Sequence, residues 1–257
     1  MKETKTILLA DVGNTRVKWA VADARRLLRT WDEPTAALRA RGGAPCRIPG
    51  GHRPEEAMVS CVTPPTRRAL AGRLKRMGVR RTLWVSAELD LGFSFRYPKP
   101  SQVGTDRLAG AAAAVALYGA PCLVVDMGTA VSFSAVDRHG AFVGGAIAPG
   151  LNLMLSALHE HTAQLPECRP GRTKRAIGKS TLEAMQIGGW LGCRGLIREI
   201  VSAIRRELTS RCGGAHCTVV ATGGACRWLV DDLLEIDVVN PRLTLEGLRI
   251  LYWRNAV

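Results

Sequence analysis

Largely apolar runs on either side of an Asp-x-Gly turn mark the start of the chain. Residues Thr6–Ala10 lead into Asp11-Val12-Gly13-Asn14-Thr15, and a second run follows at Val17–Val21. A short apolar run that stops at Asp and Gly is typical of a buried strand entering a tight turn. The two runs therefore predict a β-hairpin whose turn is rich in polar groups.

The same arrangement begins again near the middle of the chain. Cys122–Val125 is apolar, Asp126-Met127-Gly128-Thr129 follows, and Ala130–Val136 is again strand-like. A repeated supersecondary unit is stronger evidence than either copy alone. We therefore predict two halves that meet near Gly119-Ala120-Pro121, assigned as residues 1–119 and 120–257.

The remaining pattern predicts further strands and helices around these hairpins. Strands are predicted at Ala57–Val62, Thr82–Val85, Ala141–Ile147 and Thr218–Ala221. Helices are predicted at Pro65–Met77, Asp106–Tyr118, Leu151–His159, Thr181–Thr209, Ala225–Leu234 and Leu245–Trp253. Thr105 is expected to cap the second of these helices. Asp32–Pro54 is rich in Pro, Gly and Arg and is expected to be surface loop with one short helix.

The two Asp-x-Gly turns carry groups suited to phosphate and metal binding. Gly after a buried strand permits a tight turn and a close backbone approach, and exposed backbone N–H groups there can hold phosphate oxygens. Asn14, Thr15 and Thr129 add side-chain donors, an Asp at a strand end can hold a hydrated cation, and Lys18 adds a positive charge. One copy alone is a common structural turn. Two copies flanked by strands resemble the phosphate hairpins of the actin, hexokinase and Hsp70 superfamily.

Two glycine-containing segments of the second half need separate interpretation. Thr222-Gly223-Gly224 precedes a predicted helix, and in that superfamily such a turn lies against the adenosine; alone, it is an ordinary glycine turn. Gly178-Lys179-Ser180-Thr181 resembles the end of a P-loop, but that motif requires glycine where Thr173 stands, and no apolar strand precedes it. We therefore do not interpret this segment as a P-loop.

The segment from Tyr97 to Arg107 carries a candidate catalytic pair. Asp106 and Arg107 fall at the predicted start of a helix, where the helix dipole stabilises a carboxylate. Such a carboxylate can accept the proton of a substrate hydroxyl during phosphoryl transfer, and Arg107 offers a planar fork for a substrate carboxylate. From spacing alone, an N-terminal capping Asp beside a surface Arg is the favoured interpretation of the pair.

Composition limits the classes of function. The chain has 257 residues, 47% of them hydrophobic, which fits a globular protein of one large domain or two lobes. Lys and Arg number 36 against 22 Asp and Glu, giving a net charge of +14. The basic clusters are scattered without interleaved aromatic residues, so nucleic-acid binding is not expected, whereas a positive field favours an anionic nucleotide and substrate.

The chain shows no signal for a membrane, a signal peptide or a zinc site. No apolar run reaches about 18 residues, and Ile7–Ala10 is followed at once by Asp11, so we expect a cytoplasmic protein. None of the eight Cys forms a CxxC pair. Cys212, His216 and Cys217 lie close together, but a fourth zinc ligand with clear spacing is missing, and reduced thiols are expected.

Several segments in order resemble type III pantothenate kinases, from about residue 6 to residue 251. Gly104-Thr105-Asp106-Arg107 and Gly144-Gly145-Ala146-Ile147-Ala148-Pro149-Gly150 discriminate best. The others are Asp11–Thr15, Tyr97, Asp126–Ala130, Thr162–Pro166, Gly178–Thr181, Thr222–Gly224 and Leu245–Leu248. The resemblance implies an α/β fold of two ribonuclease H-like lobes, with mixed sheets flanked by helices and a nucleotide cleft between them.

The resemblance also implies an activity. Family members phosphorylate pantothenate on its primary alcohol to 4'-phosphopantothenate, the first step of coenzyme A biosynthesis. They use Mg-ATP, need a monovalent cation such as potassium or ammonium, and are typically homodimers whose dimer helices belong to the second lobe.

The family's functional residues carry over where this sequence matches its motifs. Asp106 matches the proton acceptor, Asp126 the monovalent-cation ligand, and Asp11 is a candidate Mg²⁺ ligand. The pantothenate-binding positions are Tyr97, Gly104, Thr105, Asp106, Arg107 and Thr181, the last near the dimer interface. The ATP-binding positions are Asp11, Val12, Gly13, Asn14, Thr15, Arg16, Val17, Lys18, Thr129, Gly223 and Gly224.

The chain departs from the family after the second turn. Where the family usually has Thr and then, two residues on, an acidic or amide residue, this chain has Ser132 and Ser134. Ser132 keeps a hydroxyl, whereas Ser134 lacks the carboxylate or amide. Three alternatives to the pantothenate kinase remain: a non-catalytic actin-like regulatory factor, which the basic surface favours; a kinase for another hydroxylated substrate; and a two-lobed protein that only binds nucleotide.

Overall fold

The computed structural model describes residues 5–38, 48–211 and 216–256. The chain divides into two units. The first consists of Met1–Gly119, Gly140–Phe142 and Arg242–Val257, and the second consists of Ala120–His139 and Val143–Pro241. Each unit is built around its own β-sheet.

The sheet of the first unit has five strands in the order β3-β2-β1-β4-β5. Their bounds are Ile7–Val12 (β1), Arg16–Ala22 (β2), Leu27–Pro34 (β3), Glu56–Cys61 (β4) and Arg81–Trp84 (β5). β1, β2 and β3 pair antiparallel, whereas β4 and β5 continue the sheet in parallel with β1. One face carries an apolar core with α1 (Arg67–Arg76).

The edge strand β3 is an element that the sequence analysis did not predict. All of its positions are half-buried or exposed, and its sequence contains Arg29, Asp32 and Glu33. Charged residues are common on edge strands, since they discourage pairing with another chain. Such a strand lacks a continuous apolar run. Part of the predicted loop, residues 39–47, lies outside the described residues.

Two helices pack together within the first unit. They are α2 (Thr105–Tyr118) and α6 (Leu243–Asn255), and a Cβ atom on Gly247 would lie 1.9 Å from the carbonyl oxygen of Ala109. Only glycine allows this close helix approach. Division of the chain at residue 119 would assign α6 to the second half, but its packing places it in the first unit. The local sequence of α6 does not indicate that this C-terminal helix packs against the first unit.

The second unit repeats the sheet order of the first. Its strands are Cys122–Met127 (β7), Ala130–Val136 (β8), Ala141–Gly144 (β9), Ile147–Pro149 (β10), Thr218–Thr222 (β11) and Val238–Val239 (β12). They lie in the order β12-β11-β7-β8-β9, and β10 pairs with β8. As in the first unit, the hairpin pairs antiparallel, and β11 and β12 add parallel strands. The short strand β6 (Ser94–Phe95) pairs with the first two residues of β9, in the first unit.

Helices cover one face of this second sheet. They are α3 (Leu151–Glu160), α4 (Thr181–Arg211) and α5 (Cys226–Leu229). α5 is shorter than the predicted helix 225–234, because turns replace it after Leu229. The predicted strand 141–147 is interrupted after Gly144, and Gly144 and Gly145 have φ angles of 123° and 149°, which are rare outside glycine.

The predicted fold class is confirmed as mixed α/β with two sheets flanked by helices. None of the described helices is long and apolar enough to cross a membrane. The described cysteines are all free thiols, and Cys212 of the zinc hypothesis lies outside the described residues. The described part of the chain contains no group of three or more His, Cys, Asp or Glu residues able to hold a metal ion.

Candidate active site

The first Asp-x-Gly turn is held by a neighbouring threonine. Gly13 donates its backbone N–H to the carbonyl of Arg16 at 3.0 Å, which closes the turn between β1 and β2. Thr35 donates its hydroxyl to the Gly13 carbonyl at 2.8 Å and its N–H to the Thr15 carbonyl at 2.9 Å. Asn14 and Thr15 remain exposed at the tip. The turn is thus fixed by backbone bonds while its side-chain donors face solvent.

Three polar side chains lie side by side across the strands that carry this turn. Asp11 pairs in register with Lys18 on β2 and with Ser60 on β4. Residues directly opposite each other on neighbouring strands project from the same face of a sheet. We call Lys18, Asp11 and Ser60 the first Asp row. Asp11 and Ser60 are buried and Lys18 is half-buried, so the row lies at the edge of solvent.

The start of α2 is hydrogen-bonded to the end of the first Asp row. The hydroxyl oxygens of Ser60 and Thr105 are 3.1 Å apart, and the backbone N–H of Cys61 donates to Thr105 Oγ1 at 3.0 Å. Thr105 is the first residue of α2 and not its cap. The N-cap is Gly104, and no side chain caps this helix. The structure thereby brings the Gly-x-Asp-Arg segment next to the first Asp-x-Gly turn.

The carboxylate of Asp106 turns back over Gly104. Asp106 Oδ1 accepts the backbone N–H of Arg107 at 2.8 Å, and a Cβ atom on residue 104 would lie 2.6 Å from that oxygen. A side chain at position 104 would therefore displace the carboxylate. Asp106 is half-buried at the first turn of α2, where backbone N–H groups and the helix dipole stabilise its negative charge.

Arg107 and Tyr97 meet around one buried aromatic ring. The guanidinium of Arg107 lies 5.7 Å from the ring centre of Phe142, and Tyr97 packs edge-on against the same ring at 5.9 Å. Burial lowers the pKa of Arg107 from its ordinary value, against the raising effects of Asp106 and Tyr97. Arginine stays charged under such a shift, so this partly desolvated cation is suited to hold an anionic group.

The second Asp-x-Gly turn is one residue shorter than the first. Five residues stand between Asp126 and its register partner Ser132, whereas six stand between Asp11 and Lys18. Gly128 donates its N–H to the Ala130 carbonyl at 3.0 Å, and Gly150 donates to the Thr129 carbonyl at 3.0 Å. The side chain of Thr129 is exposed at the tip.

Glycine at position 150 is required by this second turn. A Cβ atom there would lie 2.4 Å from the carbonyl oxygen of Gly128 and 2.6 Å from that of Thr129. The glycine-rich segment 144–150 is therefore packed against the turn.

A second row of oxygen-bearing side chains crosses the strands of the second turn. Asp126 pairs in register with Ser132 on β8 and with Thr222 on β11. We call Ser132, Asp126 and Thr222 the second Asp row. Thr222 is 1% exposed, and its hydroxyl has no hydrogen-bond partner among the described residues. A buried hydroxyl without a partner is costly, and it indicates that a ligand or water completes this row.

Gly223 closes the second Asp row. Its φ angle is +96°, and a Cβ atom there would lie 2.5 Å from Asp126 Oδ1 and from the carbonyl oxygen of Met127. The Thr222-Gly223-Gly224 turn therefore lies directly against the Asp126 carboxylate. This contact explains why glycine is needed here, which the sequence alone left open.

Thr181 begins the long helix α4. Ser180 accepts the N–H of Glu183 at 3.2 Å, and Glu183 accepts the N–H of Lys179 at 2.7 Å. These bonds resemble a capping box, except that Glu183 bonds the N–H of the residue before Ser180. The segment that resembles a P-loop is therefore the start of a helix. Thr181 is exposed. The described bonds do not join it to Asp106 or to either Asp row.

Three residues of these surroundings were missed by sequence reasoning. Ser60 and Phe142 lack any local signal, because each acts through a partner distant in the chain. The Thr222 hydroxyl was within a predicted turn, but only its burial reveals that it lacks a partner.

Comparisons with known proteins match one family along most of the chain. The family model for type III pantothenate kinase matches residues 7–203. A type III pantothenate kinase of Akkermansia muciniphila is 40% identical over 246 residues, covering 95% of this chain and 97% of its own. One from Dehalococcoides mccartyi is 36% identical over 260 residues, covering 98% and 99%. One from Acidiphilium cryptum is 37% identical over 261 residues, covering 96% and 94%.

A solved structure shares the fold. It is a Campylobacter jejuni protein described as a conserved member of the Baf family of transcriptional activators, with a TM-score of 0.62, 16% identity, and coverage of 96% of this chain and 97% of its own. At that identity the likeness concerns the fold alone. With the family model matching most of the chain and curated relatives matching nearly all of it, the chain belongs to the type III pantothenate kinase family.

Proposed function

We propose that this chain transfers the γ-phosphoryl group of ATP to the primary hydroxyl of pantothenate. The observation that supports the proposal is the Ser60–Thr105 contact, through which the residue before Asp106 is bonded to the first Asp row. A general base and a phosphate-binding turn must lie within one substrate's length of each other for phosphoryl transfer. Family membership supplies the identity of the alcohol.

Asp106 is the proposed proton acceptor. As the hydroxyl oxygen of pantothenate bonds to the γ-phosphorus, its proton passes to the Asp106 carboxylate, and the bond from the γ-phosphorus to the bridging oxygen of ADP breaks. Arg107, desolvated against Phe142, would bind the substrate carboxylate, and Tyr97 would line the same pocket. Gly104 leaves room for the Asp106 carboxylate.

The first turn is the proposed phosphate site. The backbone and side-chain donors of residues 13–15 are exposed at its tip, and Lys18 adds a charge beside Asp11. Arg16 is paired with Asp32, so it is the least available donor of this segment. When bound, Mg²⁺ neutralises phosphate charge, and the Asp11 carboxylate is the oxygen donor suited to hold it through water. Nucleotide contacts by Thr129, Gly223 and Gly224 remain predictions.

The second Asp row is the proposed monovalent-cation site. Its side chains fit such an ion: Asp126 supplies a carboxylate, Ser132 and Thr222 supply hydroxyls, and the Thr222 hydroxyl has no partner among the described residues. Oxygen ligands are what hard cations prefer. A bound potassium ion would supply positive charge, and these residues would hold it.

A homodimer is proposed from exposed apolar side chains of the second unit. Large apolar side chains are exposed along β10, α3, the following loop and α4. Exposed apolar side chains grouped in this way often mark a protein–protein interface, because contact with water is unfavourable for them. They are Ile147, Leu153, Leu158, Ile177, Leu182 and Leu191. Thr181 lies next to Leu182, which supports its predicted position near the dimer interface. Light scattering should give twice the chain mass, and Leu182→Asp should shift it toward one chain mass.

The activity is tested by ADP production from Mg-ATP with potassium, with and without pantothenate. Pantothenate-dependent turnover is expected, with a phosphorylated product of the mass of 4'-phosphopantothenate. Replacement of potassium by sodium at equal ionic strength should lower the rate and thereby tests the cation separately. ATP binding without pantothenate-dependent turnover would contradict the proposal.

A further inference from the structure

The hydroxyl of Thr105 is used for tertiary structure and not for capping its own helix. Thr105 is the first residue of α2, a position where a hydroxyl gives little local stabilisation, and Gly104 takes the N-cap. Its Oγ1 instead accepts the Cys61 N–H at 3.0 Å and lies 3.1 Å from the Ser60 hydroxyl. Both partners belong to β4, 45 and 44 residues earlier in the chain.

The sheet leaves the Cys61 N–H without a strand partner. β5 pairs with β4 only as far as Trp84, which is opposite Val59, two residues before Cys61. The next amide, Val62, donates to Val12 on β1 at 3.1 Å. Cys61 is half-buried, and its N–H finds its acceptor in Thr105, which takes the place of the missing strand residue. The helix start is therefore attached to the sheet at one defined point.

This attachment point lies next to Asp11. Ser60 is fully buried and in register with Asp11, so their side chains leave the same face of neighbouring strands. Asp106 follows Thr105 directly, and its carboxylate is held by the Arg107 N–H and by the space over Gly104. The Thr105 hydroxyl is thus one of the contacts that hold Asp106 near the first turn.

We infer that Thr105 is a positioning residue: its hydroxyl, held by Ser60 and Cys61, sets the place of the Asp106 carboxylate and does not contact pantothenate. The inference rests on the proposed function. A displacement of about 1 Å of a reacting group can lower the rate by about 10²-fold. The loss should appear in kcat, because a hydroxyl engaged by Ser60 and Cys61 acts on the position of Asp106 and not on the binding of ATP or pantothenate.

Three variants test this assignment in the full-length chain. Thr105→Val keeps the shape and removes the hydroxyl, Thr105→Ser keeps the hydroxyl, and Ser60→Ala removes one of the two partners. We expect kcat to fall by about 10- to 100-fold in Thr105→Val, with both KM values within about threefold of the unaltered chain. Thr105→Ser should retain most of kcat, and Ser60→Ala should lie between them.

A matched control removes a different buried hydroxyl near the same strand end. Thr66 is fully buried and donates to the Thr63 carbonyl at 2.7 Å, with no described bond to α2. Thr66→Val should lower the Tm comparably to Thr105→Val but leave kcat near that of the unaltered chain. Assays at a temperature well below every variant's Tm keep folding losses out of the comparison.

The results separate this inference from the proposed function. An unaltered kcat in folded Thr105→Val, or an equal loss in Thr105→Ser, would remove the positioning role. A change confined to the pantothenate KM would make Thr105 a substrate contact instead. If the unaltered chain shows no pantothenate-dependent turnover, the proposed function fails, and this inference fails with it.

Discussion

The two Asp rows occupy equivalent places in the two units but carry different chemistry. Each has an Asp on the first strand of a hairpin, a neighbour on the antiparallel second strand and another on the parallel strand. In the first row these neighbours are Lys18 and Ser60, and in the second they are Ser132 and Thr222. Lysine in one row therefore corresponds to serine in the other.

This difference decides what each row needs from outside the chain. In the first row an ammonium group lies across from Asp11, and the Ser60 hydroxyl is already bonded to Thr105. In the second row only hydroxyls flank Asp126, and the Thr222 hydroxyl has no partner among the described residues. The first row therefore carries its own counter-charge and is bonded to the start of α2, whereas the second row is suited to take up a cation.

Loss of the Asp106 carboxylate should have the largest effect, since it removes the group that the first row positions. Asp106→Asn should lower kcat by about 10²–10⁴-fold, because a general base contributes about that much. ATP binding, measured by calorimetry, should stay close to that of the unaltered chain. An unchanged kcat would show that the carboxylate held beside the first row, Asp106, is not the proton acceptor.

Loss of the charge in the first row should come next. Lys18→Met keeps the aliphatic stem and removes the ammonium, which should raise the KM for ATP by about 10-fold or more, as expected for a lost charge-assisted hydrogen bond to phosphate. Arg29→Met, on the exposed side of β3, is a matched control and should leave that KM unaltered. Equal effects of the two would contradict a phosphate contact by Lys18.

The features of the two Asp rows that the sequence predicts are the local ones, namely the two hairpins that carry Asp11 and Asp126. Each Asp-x-Gly turn follows a continuous buried run, so both hairpins were predicted, and β8 was predicted to the residue. The row partners were not predicted, because Ser60 and Thr222 reach their Asp through strands that follow much later in the chain.

Other errors have equally physical reasons. Thr105 was predicted as a cap because Ser and Thr favour that position, yet the Cys61 N–H competes for its hydroxyl. α6 was assigned to the second half, since nothing in residues 243–255 reveals that Gly247 approaches Ala109 in α2.

A lysine placed in the second row tests the comparison directly. Ser132→Lys puts an ammonium across from Asp126, at the place that Lys18 has across from Asp11. If the second row binds a potassium ion because it has no positively charged side chain of its own, the variant should lose most of its dependence on potassium. Its rates in sodium and in potassium should then be nearly equal. Arg138→Lys, exposed in the turn after β8, is the control and should keep the potassium dependence of the unaltered chain. Ser134→Lys is unsuitable as a control, because Ser134 is buried and the variant would bury a charge. Potassium dependence retained in Ser132→Lys would contradict the cation site.

The smallest expected effect is a change in Tm on removal of the Thr222 or the Ser60 hydroxyl, of which only the second has a hydrogen-bond partner among the described residues. Thr222→Val replaces an unpartnered hydroxyl by a methyl group of the same shape, so without potassium the Tm should be unchanged or slightly higher. Ser60→Ala breaks the bond to Thr105 and should lower the Tm by about 2–4 °C, the shift expected for about 1 kcal/mol in a chain of this size. With potassium added, the unaltered chain should gain in Tm, and Thr222→Val should need a severalfold higher concentration for the same gain. Because this readout needs no turnover, it tests the second row independently of catalysis. An equal potassium response in both chains would exclude the Thr222 hydroxyl as a ligand, and the partnerless hydroxyl would then be satisfied by water alone.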